Sequence, residues 1–73
     1  MKPITIDPMA QAAYNRFTPR DQTRLRWAVR QAQGGSGLEL VQYGHGVSSF
    51  RLGNVRVFIE DRPQEIRVMH IMQ

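Results

Sequence analysis

Leu25, Ala28, Val29 and Ala32 fall on one side of a projection at ~100° per residue, with Arg20, Thr23, Arg24, Arg26, Arg30 and Gln31 on the other. This spacing predicts an amphipathic helix from Pro19 to about Gln33. Thr18 can cap it, Pro19 fits its first turn, and Asp21 lies at the positive end of its dipole. Gly34-Gly35-Ser36-Gly37 supplies a stop and a turn. Upstream, Met9, Ala13 and Phe17 recur every four residues, with Ala10 and Tyr14 on an adjacent line, which predicts a two-turn helix with one buried stripe. Asp7-Pro8 opens that helix as N-cap and first helical residue. Lys2 to Ile6 alternates briefly and is rich in β-branched residues, so a short strand leads into it.

Beyond the glycines the period changes from helical to two. Ser49 to Leu52, the turn Gly53-Asn54, and Val55 to Glu60 predict a hairpin. Asp61 to Gln64 predicts a second turn, and Glu65 to Ile71 a final strand. Strict alternation places Val55, Val57 and Ile59 on one face, and likewise Ile66, Val68 and His70, leaving Arg56 and Arg67 on the other. Leu38 to Val41 fits either a short strand or an irregular crossing, and Tyr43-Gly44-His45-Gly46 reads as a loop. The expected architecture is one α+β domain over residues 1–73, in the order β-α-α-β-β-β. A helical hairpin covers one face of an antiparallel sheet, and the other face carries arginines.

Composition narrows the chemistry. The 73 residues are 41% hydrophobic and 22% charged, a balance suited to one folded domain with a modest core. Without cysteine there are no disulfides, thiolate metal sites or cysteine nucleophiles, and His45 and His70 are too few for a metal site, so no cofactor is expected. No apolar run approaches the ~20 residues that span a bilayer, and Met1 to Asp7 lacks a signal-peptide core, so the expected location is cytoplasmic. The net charge is +4, and nine of the ten basic residues are arginine, whose planar fork suits phosphates and carboxylates. Such a surface fits nucleic acid or an acidic protein partner, and also fits ordinary solubility charge.

The element order, the stretch Phe50-Arg51-Leu52-Gly53-Asn54-Val55-Arg56-Val57-Phe58-Ile59-Glu60, the approach from Leu40 to Gly46, and the closing strand Ile66 to Ile71 together resemble the RelE/ParE superfamily of toxin–antitoxin toxins. Val55 stands where that family's motif carries an aromatic. The resemblance implies a toxin acting on translation by ribosome-associated mRNA cleavage or binding, neutralised by an antitoxin. It implies catalytic roles for Arg51 and Arg56, which match the family's sheet arginines, and for His70 near the end of the last strand. Such chemistry needs charge stabilisation more than a protein nucleophile, because RNA supplies its own 2′-hydroxyl.

Other features favour a different class. The chain stops at Gln73, short of the family's tail, and Ser49 stands where many members carry a basic residue. Both point to a non-catalytic module binding nucleic acid or a host protein, gyrase-type inhibition included. In that reading Arg20, Arg24, Trp27, Arg30 and Arg67 form the contact surface, since tryptophan and arginine anchor interfaces and stack on bases. The plainer alternatives are that Arg51 and Arg56 solvate the exposed sheet face or pair with Glu60 and Glu65 across strands, that His70 is a half-buried, hydrogen-bonded side chain, and that Trp27 covers the first helix.

Overall fold

The computed structural model describes residues 2–34 and 39–73. Its elements are β1 (Ile4–Ile6), α1 (Pro8–Arg16), α2 (Pro19–Gly34), β2 (Val41–Gly44), β3 (Val47–Leu52), β4 (Val55–Asp61) and β5 (Ile66–Met72). The strands form one sheet in the order β1-β5-β4-β3-β2. The fold is α+β, with both helices packed against this sheet. Two expectations are corrected. The sheet has five strands, because β2 is added at its edge, and it is mixed, because β1 runs parallel to β5 while the other pairings are antiparallel. The helical crossover carries the chain away from β1, and the four-strand meander walks back until β5 lies beside β1 in the same direction.

Local chemistry sets the boundaries. The Asp7 carboxylate accepts from the Met9 amide at 2.9 Å and Pro8 begins α1. Thr18 Oγ1 accepts from the Asp21 amide at 3.1 Å, so α2 is capped as its sequence predicts. The glycine turn expected after α2 lies, from Gly35 onward, outside the described residues. Val41 to Gly44 is a strand and only His45-Gly46 turns the chain, which corrects the loop reading of Tyr43 to Gly46. His45 and Gly46 both have positive φ, 55° and 78°, the signature of a type I′ hairpin turn. A side chain at Gly46 would meet the Asp61 carbonyl at 2.9 Å, and the Asp61 amide donates to the Gly46 carbonyl, so this turn packs against the end of β4.

The core lies between the helices and one sheet face. Leu25, Ala28, Val29 and Ala32 are buried from α2, and Phe50, Val57, Ile59, Ile66, Val68 and Ile71 from the sheet. Burying each large apolar side chain contributes about 1.5–3 kcal/mol, which matters in a chain this small. In α1 the buried line is Ala10 and Tyr14, flanked by the half-buried Ala13 and Phe17, whereas Met9 is 74% exposed and does not belong to the stripe.

Strict alternation fails in β5. Phe58 pairs with His70, but the next residue of β4, Ile59, pairs with Val68. Met69 is therefore an extra residue, a β-bulge that reverses the parity of everything after it. Ile71, opposite Val57, takes the core position, and His70 turns to the outward face beside Phe58. This corrects the expectation that His70 shares a face with Ile66 and Val68.

Candidate nucleic-acid interface

The sheet face away from the helices is organised by the ladder into three cross-strand rows. Nearest the β3–β4 turn, Arg51 pairs with Arg56, and Arg56 with Met72. In the middle row Ser49 pairs with Phe58, and Phe58 with His70. In the third, Val47 pairs with Glu60, Glu60 with Arg67, and Arg67 with Thr5.

These rows differ in how their charges are satisfied. The third row closes on itself. Arg67 Nε donates to Asp7 Oδ2 at 2.9 Å and its guanidinium lies 3.8 Å from Glu65, whose carboxylate also accepts from the Thr5 hydroxyl. Arg62 bridges Glu60 at 2.9 Å and Glu65 at 3.7 Å, and Lys2 pairs with Asp61. Hydrogen bonds from the Met9 amide, then from Arg67, hold the Asp7 carboxyl below its ordinary range. The neighbouring Glu60 carboxylate raises Arg62 still further. Four of the six acidic residues are thus at this end of the molecule.

The first row is the opposite case. Among the described residues no carboxylate lies within ion-pair distance of Arg51 or Arg56, so neither pairs with Glu60 or Glu65. Arg56 Nη1 instead donates to Ser49 Oγ at 2.9 Å, and that hydroxyl shares a 2.9 Å hydrogen bond with the Tyr43 hydroxyl. Ser49 is fully buried under these groups. Tyr43 reaches over from β2, where the register shifts between Gln42 and Gly44, and stacks on Phe58 with centroids 5.9 Å apart and planes at 27°. His70 lies on the other side of Phe58, centroids 6.4 Å apart. Its Nδ1 is buried without a hydrogen-bond partner, so no hydrogen bond at that nitrogen orients the ring, and the hydrogen bond of the plainer reading is not found there.

Two arginines paired across the ladder beside stacked aromatic rings have a definite chemical capacity. They can hold phosphate oxygens and offer ring faces to a base. A hollow of about 350 Å³ opens between Arg51, Asn54, Arg56 and Phe58.

The fold brings Arg51, Arg56 and His70 onto one surface and separates them from most of the other candidates. Arg67 shares the sheet face but is taken up by Asp7 and Glu65. Arg30 donates to the Lys2 carbonyl and to Gln33, which ties α2 to the start of the sheet. Arg26 donates to the Tyr14 hydroxyl at 2.8 Å and lies over that ring, joining the two helices. Arg20, Arg24 and Trp27 remain exposed on α2, Trp27 at 64%, and Trp27 sits near Thr23, Arg24 and Leu52 on the β3 side. Tyr43, Ser49 and Phe58 were not expected here. Phe58 has the parity of Arg56 in the alternating strand, which was a readable signal; Tyr43 was hidden in the segment read as a loop.

Among the described residues no group of three metal-ligating side chains occurs, and no helix is long and apolar enough to cross a membrane. Comparisons with protein-family models, with curated proteins and with solved structures find no match.

Proposed function

We propose that this protein binds RNA on the outward face of its sheet and, as its resemblance to RelE/ParE toxins implies, acts on translation. The observation that carries the reading is the Arg51–Arg56 pair. Like charges directly across a ladder destabilise a sheet, and among the described residues no carboxylate lies within ion-pair distance of either arginine. An anion between them removes the repulsion, and the adjacent Tyr43–Phe58 stack supplies the apolar surface that a nucleobase needs. Two phosphate contacts on a single strand give a slope of about −1.4 in log K against log salt, from about −0.7 per phosphate.

If the RNA is cut, its own 2′-hydroxyl is the nucleophile, and Arg51 and Arg56 stabilise charge at the scissile phosphate. A second reading, binding without cleavage, is favoured by one observation: His70 Nδ1 has no partner to orient the imidazole. In either case the partner that neutralises the surface is an antitoxin or another acidic protein.

Induced expression in bacteria, wild type beside an Arg51→Ala/Arg56→Ala variant, with growth curves and mapping of mRNA 5′ ends, tests this. Growth arrest with new 5′ ends inside translated regions, both lost in the variant, is expected of a nuclease. Arrest and RNA binding without new ends select the second reading. Normal growth and no RNA binding overturn both.

A further inference from the structure

The hollow at Arg51 and Arg56 does not end at the sheet. It shares Asn54 and Val55 with a smaller hollow of about 100 Å³ at the β3–β4 turn, whose walls include Phe17, Arg24 and Leu52. That one in turn shares Arg24 and Leu52 with a third, of about 320 Å³, where Trp27 stands with Thr23 and Ala28. Three adjoining depressions therefore lead from the outward sheet face, around the hairpin tip, onto α2. An aromatic ring stands at each end, Phe58 and Trp27, and arginines line the way at Arg51, Arg56 and Arg24.

We infer that single-stranded RNA held at Arg51 and Arg56 continues around the β3–β4 turn, passes Arg24, and stacks a base on Trp27. This rests on the reading of Arg51 and Arg56 as a phosphate site. A single strand is the occupant that suits the surface, because the path bends round a corner of a molecule only 28 × 23 × 21 Å in extent and alternates cationic with aromatic groups. A duplex presents its phosphates along a stiff rod and keeps its bases stacked inside, so it can neither follow the turn nor offer a base to Trp27. Trp27 gains nothing by being 64% exposed in the free protein, whereas a stacked base covers it. The Asp21 carboxylate opposes this path. Asp21 lines the middle hollow and lies 3.5 Å from Arg24, so it competes with phosphate for that guanidinium.

Trp27 is the only tryptophan, which makes its emission a specific reporter. An end-labelled, unstructured RNA decamer is titrated onto the full chain while label anisotropy and Trp27 fluorescence are both recorded. The expected result is quenching of Trp27 with the same midpoint as the anisotropy change. Trp27→Ala weakens binding roughly 5- to 150-fold, the equivalent of about 1–3 kcal/mol per stacked base, and Trp27→Phe restores most of it. Arg24→Ala reduces the salt slope by about 0.7, and Asp21→Asn tightens binding. Circular dichroism confirms that each variant is folded. If the decamer binds, depends on Arg51 and Arg56, and leaves Trp27 emission and the Trp27→Ala affinity unchanged, the sheet site stands and the path onto α2 is wrong. If no binding is seen by anisotropy, the phosphate site itself falls and the path with it. Displacement of the RNA from Trp27 by polyglutamate of equal charge, at lower concentration than unlabelled RNA, would overturn the path in favour of an acidic protein segment.

Discussion

Phe58 faces His70 across β4 and β5 only because Met69 is bulged out between His70 and Val68. The bulge puts an imidazole where an unbroken register would put Met69, with Nδ1 buried and unpartnered. A buried polar atom without a hydrogen bond costs about 1–3 kcal/mol. His70→Phe removes that atom, keeps an aromatic ring against Phe58, and is expected to raise the melting temperature. At about 4–8 °C per kcal/mol for a domain of this size, the gain is readily measured by thermal denaturation. A lower melting temperature would show that His70 is satisfied in solution. RNA affinity in this variant is expected to stay near wild type, while any cleavage that uses the imidazole disappears.

Arg51 carries the cleaner test of the opposed arginines, because it is exposed and makes no hydrogen bond among the described residues, whereas Arg56 is held by Ser49. Arg51→Thr relieves the repulsion and introduces a β-branched residue suited to a strand. Stability is expected to rise by about 0.2–1 kcal/mol at low ionic strength, and the gain should shrink as salt screens the wild-type repulsion. RNA affinity is expected to fall in the same variant. Opposite signs for folding and binding would identify the pair as a functional cost; a loss of both would make Arg51 an ordinary structural residue.

Asp7 supplies a pH-dependent stability. Its carboxyl is held below the ordinary value of 3.8, first by the Met9 amide and then by Arg67. A depressed folded-state value means that this stabilisation is fully present above the unfolded value, about pH 4, and is lost as pH falls through the lower folded value. Asp7→Asn keeps a capping oxygen but cannot be a carboxylate, so it is expected to melt below wild type at pH 7 and to converge with it as the pH is taken well below 4. A gap between the two melting curves that persists unchanged at pH 2 would assign the role of Asp7 to something other than its charge.

The helices were legible because their signals are local. Asp7-Pro8 and Thr18-Pro19 carry their own caps, and the stripe from Leu25 to Ala32 needs no partner to be seen. Met9 shows the limit of that legibility: spacing alone does not say which of two adjacent lines, Met9-Ala13-Phe17 or Ala10-Tyr14, meets the sheet. The misses are non-local. The bulge at Met69 exists only relative to β4, and one inserted residue was enough to move His70 from the expected core face to the outward one. β2 is short and exposed, held by its pairing with β3, so no buried alternation announced it. Of the expected site, Arg51 and Arg56 converge because alternate residues of paired strands share a face, whereas His70 joins them only through the bulge at Met69. Arg30 and Arg67 were counted as free cations because their partners, the Lys2 carbonyl and Asp7, lie far away in sequence.

The parallel pairing of β1 with β5 also sets when the sheet can be completed. Among the described strands β1 comes first along the chain and pairs with β5, the last of them, through contacts between residues 60 positions apart such as Asp7 and Arg67. Contacts this distant are closed late and at high entropic cost. On a translating ribosome, β1 must wait unpaired until Ile66 to Val68 has cleared the exit tunnel. The outward face, to which β5 contributes Arg67, His70 and Met72, is therefore complete only once β5 has paired with β4, and no segment lacking β5 can present it whole.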